Sequence, residues 1–131
     1  MSLYKFTSSI FDNKKIDLFN RGNHVRDFTY VEDVANILYK LVTLVPKKKS
    51  YFRTLNIASS KPINLKIFLK IIERKTNLKF KLNLLPMQKG DVYKTYADNK
   101  KLMKLIKKYH FINIEKGIEL FLKWFQNYHN I

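Results

Sequence analysis

Segments with helical periodicity alternate with extended segments along this chain, and that alternation constrains its fold more than any other feature. Apolar residues that recur every three or four positions predict five helices: over residues 3–12, from Val31 to about Val45, and after the capping residues Asn64, Asp98 and Asn113. Extended segments are predicted at 16–19, 27–30, 52–57 and 78–84. This order, without an internal repeat, predicts one small domain over residues 1–131, of the α/β class with an α+β character.

Two local predictions concern the first half of the chain. Residues 20–23, Asn-Arg-Gly-Asn, tolerate positive φ, so the extended segments on either side of them are predicted to form a β-hairpin or a closely related turn. Residues 46–50 are predicted to be a solvated linker. The predicted buried stripe of the second helix consists of Val34, Ala35, Leu38, Leu41, Val42 and Val45.

The composition excludes several classes of protein. With 46% hydrophobic and 15% aromatic residues the chain can build a core, and without cysteine it has neither a disulfide nor a thiolate nucleophile. Its amino terminus lacks the basic and apolar regions of a signal peptide, and no apolar run approaches the roughly 18 residues of a membrane span. We therefore expect a cytoplasmic protein without a membrane partner.

The formal net charge of +16 suggests a polyanionic partner. However, only four of the 26 basic residues are arginines, whereas proteins that read bases or phosphates favour the bidentate guanidinium group. A basic nucleic-acid-binding module, with Tyr51 and Phe52 beside the lysines at 47–49, therefore stays as the alternative function. Dispersed lysines that keep the surface solvated are the preferred interpretation, and a nucleic-acid partner is not expected.

The sequence shows no pattern for a metal site or for an autonomous catalytic centre. The histidines are far apart, fit no serine-hydrolase or HExxH pattern, and are interpreted as surface or loop residues, so no metal is expected. They are His24, His110 and His129. The glycines stand alone, so no glycine-rich loop can hold a dinucleotide, and we assign neither a catalytic residue nor a cofactor to this chain alone.

Two segments could bind a ligand. Arg26 follows a flexible turn, where its guanidinium group could pair with a diphosphate. Asp91 follows Gly90 in a turn, where its carboxylate could accept hydrogen bonds from two ribose hydroxyls. Each residue also has a simpler interpretation, because Arg26 could bridge to Asp27 or Asp33, and Asp91 could be an ordinary turn residue.

Several short motifs follow one another along nearly the whole chain. They are Leu3-Tyr4-Lys5-Phe6-Thr7, Ile16-Asp17-Leu18-Phe19-Asn20, Arg26-Asp27-Phe28-Thr29-Tyr30-Val31, Asn56-Ile57, Leu85-Pro86, Gly90-Asp91-Val92 and Ala97-Asp98. In order and spacing they resemble the carboxy-terminal region of UDP-glucuronate 4-epimerases, which belong to the extended short-chain dehydrogenase/reductase group of NAD-dependent epimerases and dehydratases. The pattern Leu85-Pro86-x-Gln88-x-Gly90-Asp91 points to the glucuronate branch.

The resemblance implies a ligand and a set of residues that bind it. The ligand would be a UDP-sugar of the UDP-glucuronate or UDP-galacturonate type, with Arg26 at the diphosphate and Asp91 at the ribose hydroxyls. Gln88 matches a position that is arginine in related galactose epimerases, which makes it a further candidate at the phosphates. The strand implied to lie against the uracil carries Asp17, Leu18 and Phe19.

In the resembled family, NAD accepts a hydride from the sugar while a tyrosine of a YxxxK motif removes a proton. The resemblance places the cofactor loop and the YxxxK pair upstream of Met1, and Tyr4 and Tyr30 lack a lysine four residues later. We therefore expect a truncated or split substrate-binding part without the Rossmann domain, which is not catalytic alone and has a separate NAD-binding piece as a possible partner. A non-functional gene fragment is a further alternative.

Overall fold

The computed structural model describes residues 2–44 and 52–131 and contains five helices in them. The helices are α1 (Ser2–Phe11), α2 (Val31–Val42), α3 (Leu65–Thr76), α4 (Lys100–Ile106) and α5 (Ile114–His129). The strands in the same residues are β1 (Lys15–Leu18), β2 (Val25–Arg26), β3 (Ile63–Asn64) and β4 (Lys81–Leu84), and Phe19–Gly22 forms a 3₁₀ turn. The predicted helices and the mixed α/β class are confirmed. Val45, Tyr51 and the predicted linker at 46–50 lie outside the described residues.

Polar side chains lie at the starts of the last three helices. Asn64 and Asn113 are the caps that the sequence predicts, whereas the predicted cap Asp98 precedes the N-cap residue of α4, Asn99. Asn64 accepts a hydrogen bond from the backbone amide of Lys66 at 2.8 Å, and Asn113 accepts one from that of Lys116 at 2.9 Å. The Asp98 carboxylate accepts from the amide of Lys100 at 2.8 Å. Each bond satisfies one of the amides that a first helical turn leaves without a partner.

The strands form two small sheets, and the predicted hairpin between the first two extended segments is wrong. β1 pairs in parallel with β4, whereas β2 pairs antiparallel with β3. The backbone between them turns through left-handed conformations at Asn20, Arg21 and Gly22, with φ of 49°, 48° and 75°. This turn carries the chain out of the first sheet, and residues 27–30, predicted as a strand, are not part of either sheet.

Two separate groups of buried apolar residues hold the elements together. The larger group joins α1, β1, α3 and α5, and it includes Leu18, Phe68, Ile72 and Ile118, each at most 1% exposed. The smaller group joins α2 to α4 around Ile37. None of the helices in the described ranges is long and apolar enough to cross a membrane.

Charged groups add a second link between α3 and α5. Lys75 of α3 and Lys116 of α5 both donate to the Glu119 carboxylate, at 2.7 and 2.6 Å. These two ammonium groups lower the pKa of Glu119 to about 2. The carboxylate is therefore ionised at neutral pH and pairs with both helices.

The buried face of α2 differs from the predicted one. Asp33 and Ile37 are the buried residues of this helix. Most of the predicted stripe is exposed, including Leu38 at 51% and Val42 at 83%. The physical reason is that α4 packs against the Ile37 side of α2, where Leu41 is partly buried, whereas Leu38 and Val42 are exposed. Periodicity alone identified an apolar face but not which element covers it.

The strand predicted at 52–57 is absent from the two sheets. Phe52 is 92% exposed, whereas Leu55 and Ile57 are partly buried against the smaller apolar group. An extended segment becomes a strand when another strand supplies the hydrogen-bonding partners of its backbone, and neither sheet reaches this segment. The apolar composition of 52–57 therefore did not predict a strand correctly, just as the apolar stripe of α2 did not predict the buried face of that helix.

A buried carboxylate fixes α2 to the segment that leads into α5. Asp33, 1% exposed, accepts a hydrogen bond from the Tyr109 hydroxyl at 2.9 Å and another from the Ile112 amide at 3.0 Å. Burial raises the pKa of the Tyr109 phenol above its ordinary value of 10, and the Asp33 carboxylate adds to the increase. The phenol therefore remains a hydrogen-bond donor at neutral pH.

Removal of the Tyr109 hydroxyl is expected to destabilise the protein. Tyr109→Phe leaves one oxygen of the buried Asp33 without its donor, so the free energy of unfolding should fall by about 1.5–3 kcal/mol in urea denaturation at pH 7. Tyr4→Phe is the matched control, because its hydroxyl meets His129 in an exposed contact and should cost less than about 0.5 kcal/mol.

The difference between wild type and Tyr109→Phe should also depend on pH. Since the pKa of the folded protein is raised, the stabilisation is complete below the unfolded value of 10 and is lost as the pH rises through the folded value. Equal losses in the Tyr109 and Tyr4 variants would contradict a structural role for the buried hydrogen bond.

Candidate functional site

Arg26 and Asp91, which are 65 residues apart in sequence, meet in the folded chain. The Nη2 group of Arg26 donates to Oδ1 of Asp91 at 3.1 Å, and both side chains are partly buried, 25% and 32% exposed. The Nη1 group donates to the carbonyls of Val25 and Tyr93, at 3.0 and 3.1 Å. Three acceptors therefore fix the plane of the guanidinium group, and the two residues proposed for a ligand form one site.

The turn before Asp91 orients its carboxylate. Gly90 has a φ of 82°, and the Asp91 amide donates to the Gln88 carbonyl at 3.2 Å. Oδ1 of Asp91 also accepts from the Val92 amide at 2.8 Å, while Oδ2 lies 3.1 Å from Nε2 of His24. Gln88 is exposed at the start of this turn, and Asp91 is at its end.

Asp27 and Thr29 connect two loops to the segment that carries Arg26. The Asp27 carboxylate accepts from the Ser59 hydroxyl at 2.7 Å and from the Ala97 amide at 3.3 Å. The Thr29 hydroxyl accepts from the Ser59 amide at 3.2 Å. Asp27 and Asp33 thus have other partners, and Arg26 pairs with Asp91 instead of either of them.

The aromatic residues of the same segment face the main core. The rings of Phe28 and Phe68 stack with centroids 4.2 Å apart and planes 13° apart. Tyr30 packs over Gly117 of α5, where an added Cβ would lie 3.5 Å from the tyrosine ring. An apolar cavity of about 320 Å³ opens between this segment, α1 and α5, with Phe121 on its far side. The segment from Arg26 to Tyr30 therefore joins the polar site to the core.

The three residues implied to contact a uracil lie in and just after β1. Asp17 is exposed and accepts a hydrogen bond from Asn83 of the paired strand at 2.7 Å. Leu18 is 1% exposed as a whole residue, so both its side chain and its backbone are enclosed. The Leu18 carbonyl accepts from the Leu85 amide at 3.1 Å, and Phe19 is partly buried at the start of the 3₁₀ turn.

One tyrosine and one lysine have the YxxxK spacing, which the sequence analysis overlooked. Tyr96 precedes α4 and is 58% exposed, whereas Lys100 is the first residue of that helix and extends towards Asp98 at 3.8 Å. A catalytic pair of this spacing needs both residues within one helix, so that they share a face. Tyr96 lies outside the helix, and this spacing carries no catalytic assignment.

His24 is the residue whose burial sequence reasoning missed. It lies in a loop, as predicted, but it is only 4% exposed and lies beside Asp91. His24 and Arg26 are two residues apart along an extended stretch that ends in β2, so both side chains point to the same face. That spacing was the available signal. In residues 2–44 and 52–131, no three carboxylates or histidines are grouped as a metal site would require.

Comparison with known proteins relates the chain to nucleotide-sugar enzymes. Residues 3–58 match the NAD dependent epimerase/dehydratase family. Over 125 residues the chain is 39% identical to an uncharacterised protein of Methanocaldococcus jannaschii and 33% identical to the UDP-glucuronate 4-epimerase of Thermodesulfobacterium geofontis. Each match covers 95% of this chain and 37% of the relative.

A solved structure supports the same fold. UDP-glucuronic acid 4-epimerase from Bacillus cereus, in complex with UDP-glucuronic acid and NAD, matches with a TM-score of 0.86 and 20% identity. The match covers 98% of this chain and 40% of that protein. The predicted likeness to extended short-chain dehydrogenase/reductase structures is confirmed, and the chain spans about two fifths of the length of these relatives.

The turn that leads into the site should tolerate no side chain at Gly22. An alanine Cβ there would lie 2.6 Å from Cδ2 of Leu18, which is enclosed in the core, and φ is +75°. Gly90 has a similar φ of +82° but no atom within 4 Å of the added Cβ. Both Gly→Ala variants should lose about 1–2 kcal/mol to the left-handed backbone, and only Gly22→Ala should lose about 1–3 kcal/mol more to overpacking. Urea unfolding measures both, and equal losses would contradict the steric explanation.

Proposed function

The chain belongs to the NAD-dependent epimerase/dehydratase family and is UDP-glucuronate 4-epimerase-like, and on that premise we propose that it is the UDP-sugar-binding part of such an enzyme. The observation that carries the proposal is the meeting of Arg26 and Asp91 at 3.1 Å. A cation that binds a diphosphate and a carboxylate that binds ribose must lie close together, because the two ligand groups are adjacent in a nucleoside diphosphate. UDP-glucuronate or UDP-galacturonate is the proposed ligand.

The Arg26 side chain retains donors for a phosphate. A guanidinium group has five N–H donors, and the bonds to Asp91, Val25 and Tyr93 engage three of them. The two carbonyls hold the plane of the group, so that the remaining donors have a defined direction before the ligand arrives. Gln88, exposed in the neighbouring turn, is placed as a second group near the phosphates in this proposal.

Asp91 has a comparable role on the ribose side. Its oxygens accept from Arg26 and from the Val92 amide, and a carboxylate has further lone pairs for two hydroxyl donors. The uracil would then lie towards the end of β1, against Phe19, since Leu18 itself is buried. Asp17 would border the same edge from the exposed face of the strand.

The residues in hand do not fit NAD. A dinucleotide needs several glycines in one loop for its phosphates, but Gly22 lies against Leu18 and Gly117 lies under Tyr30. Tyr96 and Lys100 do not share a helical face. We therefore propose binding without catalysis for these 131 residues, with the hydride and proton transfer left to an NAD-binding companion.

The exposed side of α2 supports such a companion. Leu38, Tyr39 and Val42 are 51%, 74% and 83% exposed, and Phe52 is 92% exposed in the unpaired segment that follows. An apolar helix face beside an extended segment without a strand partner is suited to pack against a parallel sheet with its own helices. In this proposal the companion is the NAD-binding α/β part of the same type of enzyme.

The diphosphate role of Arg26 can be tested by calorimetry with UDP. Arg26→Ala should weaken binding about 10- to 150-fold, the effect expected when a charged hydrogen-bonding partner is lost. Arg26→Lys keeps the charge but loses the planar, two-donor guanidinium group, so its affinity for UDP should lie between those of wild type and Arg26→Ala. Arg74→Ala is the matched control, because this arginine is on the far side of α3, paired with Glu115. The same affinity for wild type and Arg26→Ala would show that Arg26 does not bind the diphosphate.

The companion can be tested by reconstitution. The chain should be inactive with NAD and UDP-glucuronate, and addition of the separately produced NAD-binding part of the Thermodesulfobacterium geofontis enzyme should restore epimerisation. Leu38→Lys should abolish the restoration because it places a charge on the α2 face. Ile67→Lys should not, although Ile67 on α3 is also 51% exposed. Epimerisation by the chain with NAD alone, or equal effects of the two substitutions, would contradict the proposal.

A further inference from the structure

His24 is buried without an obvious structural need. An imidazole in an apolar environment loses its hydrogen bonds to water, so burial at 4% exposure calls for a polar partner. Nε2 is fully enclosed and makes no hydrogen bond in the described residues, but it lies within ion-pair distance of Oδ2 of Asp91, at 3.1 Å. His24 therefore lies on the inner side of the carboxylate, whereas Arg26 lies on its outer side.

The position of the His24 ring is fixed by its backbone. The His24 carbonyl accepts from the amide of Leu65, the first residue of α3, at 2.8 Å. The next residue, Val25, is bonded on both sides, by pairing with Asn64 and through its hydrogen bonds to Tyr93 and Thr95. The imidazole thus starts from a backbone held between α3 and the 93–95 segment and has little freedom to move away from Asp91.

The two oxygens of Asp91 are held from different directions. Oδ1 accepts from Arg26 and from the Val92 amide, whereas Oδ2 faces His24. A carboxylate that is hydrogen-bonded at one oxygen can still rotate, but one whose second oxygen also contacts an immobile imidazole presents its remaining lone pairs in one direction. Binding of adjacent hydroxyls requires such a fixed direction, because the two donors of a ribose are rigidly spaced.

We propose that His24 is a positioning residue that fixes the Asp91 carboxylate for the 2′- and 3′-hydroxyls and so gives the site its preference for ribose over 2′-deoxyribose. This inference rests on the proposed function, since it assumes a nucleoside diphosphate at the Arg26–Asp91 pair. It assigns His24 no contact with the ligand, because the ring is enclosed behind the carboxylate. Its effect is transmitted through Oδ2 of Asp91.

Two amide substitutions separate this role from general burial. His24→Gln can place an amide nitrogen near the position of Nε2, whereas His24→Asn is shorter and reaches only the position of Nδ1. Both variants carry a polar amide, but only glutamine is long enough to donate to Asp91. Calorimetric titration of the full chain with UDP and with 2′-deoxy-UDP then measures the ratio of the two affinities for each variant.

The wild type should bind UDP at least about tenfold more tightly than 2′-deoxy-UDP, the effect of one lost hydrogen bond to a charged group. His24→Asn should reduce this ratio to about threefold or less, and His24→Gln should restore it. In an Asp91→Asn background, His24→Asn should leave the ratio unchanged, because the group through which His24 acts has been removed. A merely structural histidine would weaken both ligands equally, with no rescue by glutamine, and that result would overturn the proposal.

A second measurement distinguishes failure of this inference from failure of the proposed function. Urea unfolding of wild type, His24→Asn, Asp91→Asn and the double variant should show non-additive losses if the His24–Asp91 contact is energetically real. Additive losses would overturn the inference whatever binds. UDP binding with a ratio that does not respond to His24 would also overturn it while the proposed function stands. If the wild type binds no UDP, both are overturned, even where the unfolding losses are non-additive.

Discussion

The arrangement of the candidate site depends on the hydrogen bonds that the Asp27 carboxylate accepts. This carboxylate accepts from the Ser59 hydroxyl and from the Ala97 amide, two groups that belong to loops 38 residues apart in sequence. Hydrogen bonds to an ionised carboxylate are about twice as strong as those between neutral groups. Because both loops are held at Asp27, the chain that follows Asp91 returns beside Arg26, and the candidate site can form.

The two faces of the molecule differ in how completely their apolar side chains are buried. Around α1, α3 and α5 the apolar side chains are enclosed, and ion pairs at Glu119 join two of these helices. On one face of α2 the apolar side chains of Leu38, Tyr39 and Val42 remain exposed, as does Phe52. A protein surface of this kind is costly in water, and the companion proposed above would cover it.

Local features of the sequence were enough to predict the helices. The spacing of apolar residues and the capping side chains Asn64, Asp98 and Asn113 act within one or two turns, so they do not depend on the rest of the fold. Strand pairing was not predictable in the same way. β1 joins β4, some 66 residues later, because pairing depends on which edge lies nearby rather than on the strand sequence.

The candidate site shows the same division. The sequence by itself determined that Arg26 and Asp91 were the residues to examine, because a motif and a turn are local and the resemblance supplied their order. Only the tertiary structure decided that these two side chains meet, that the Leu18 side chain is buried, and that His24 lies behind the carboxylate. The physical reason is that burial and long-range contacts arise from the packing of distant segments, which no local pattern encodes.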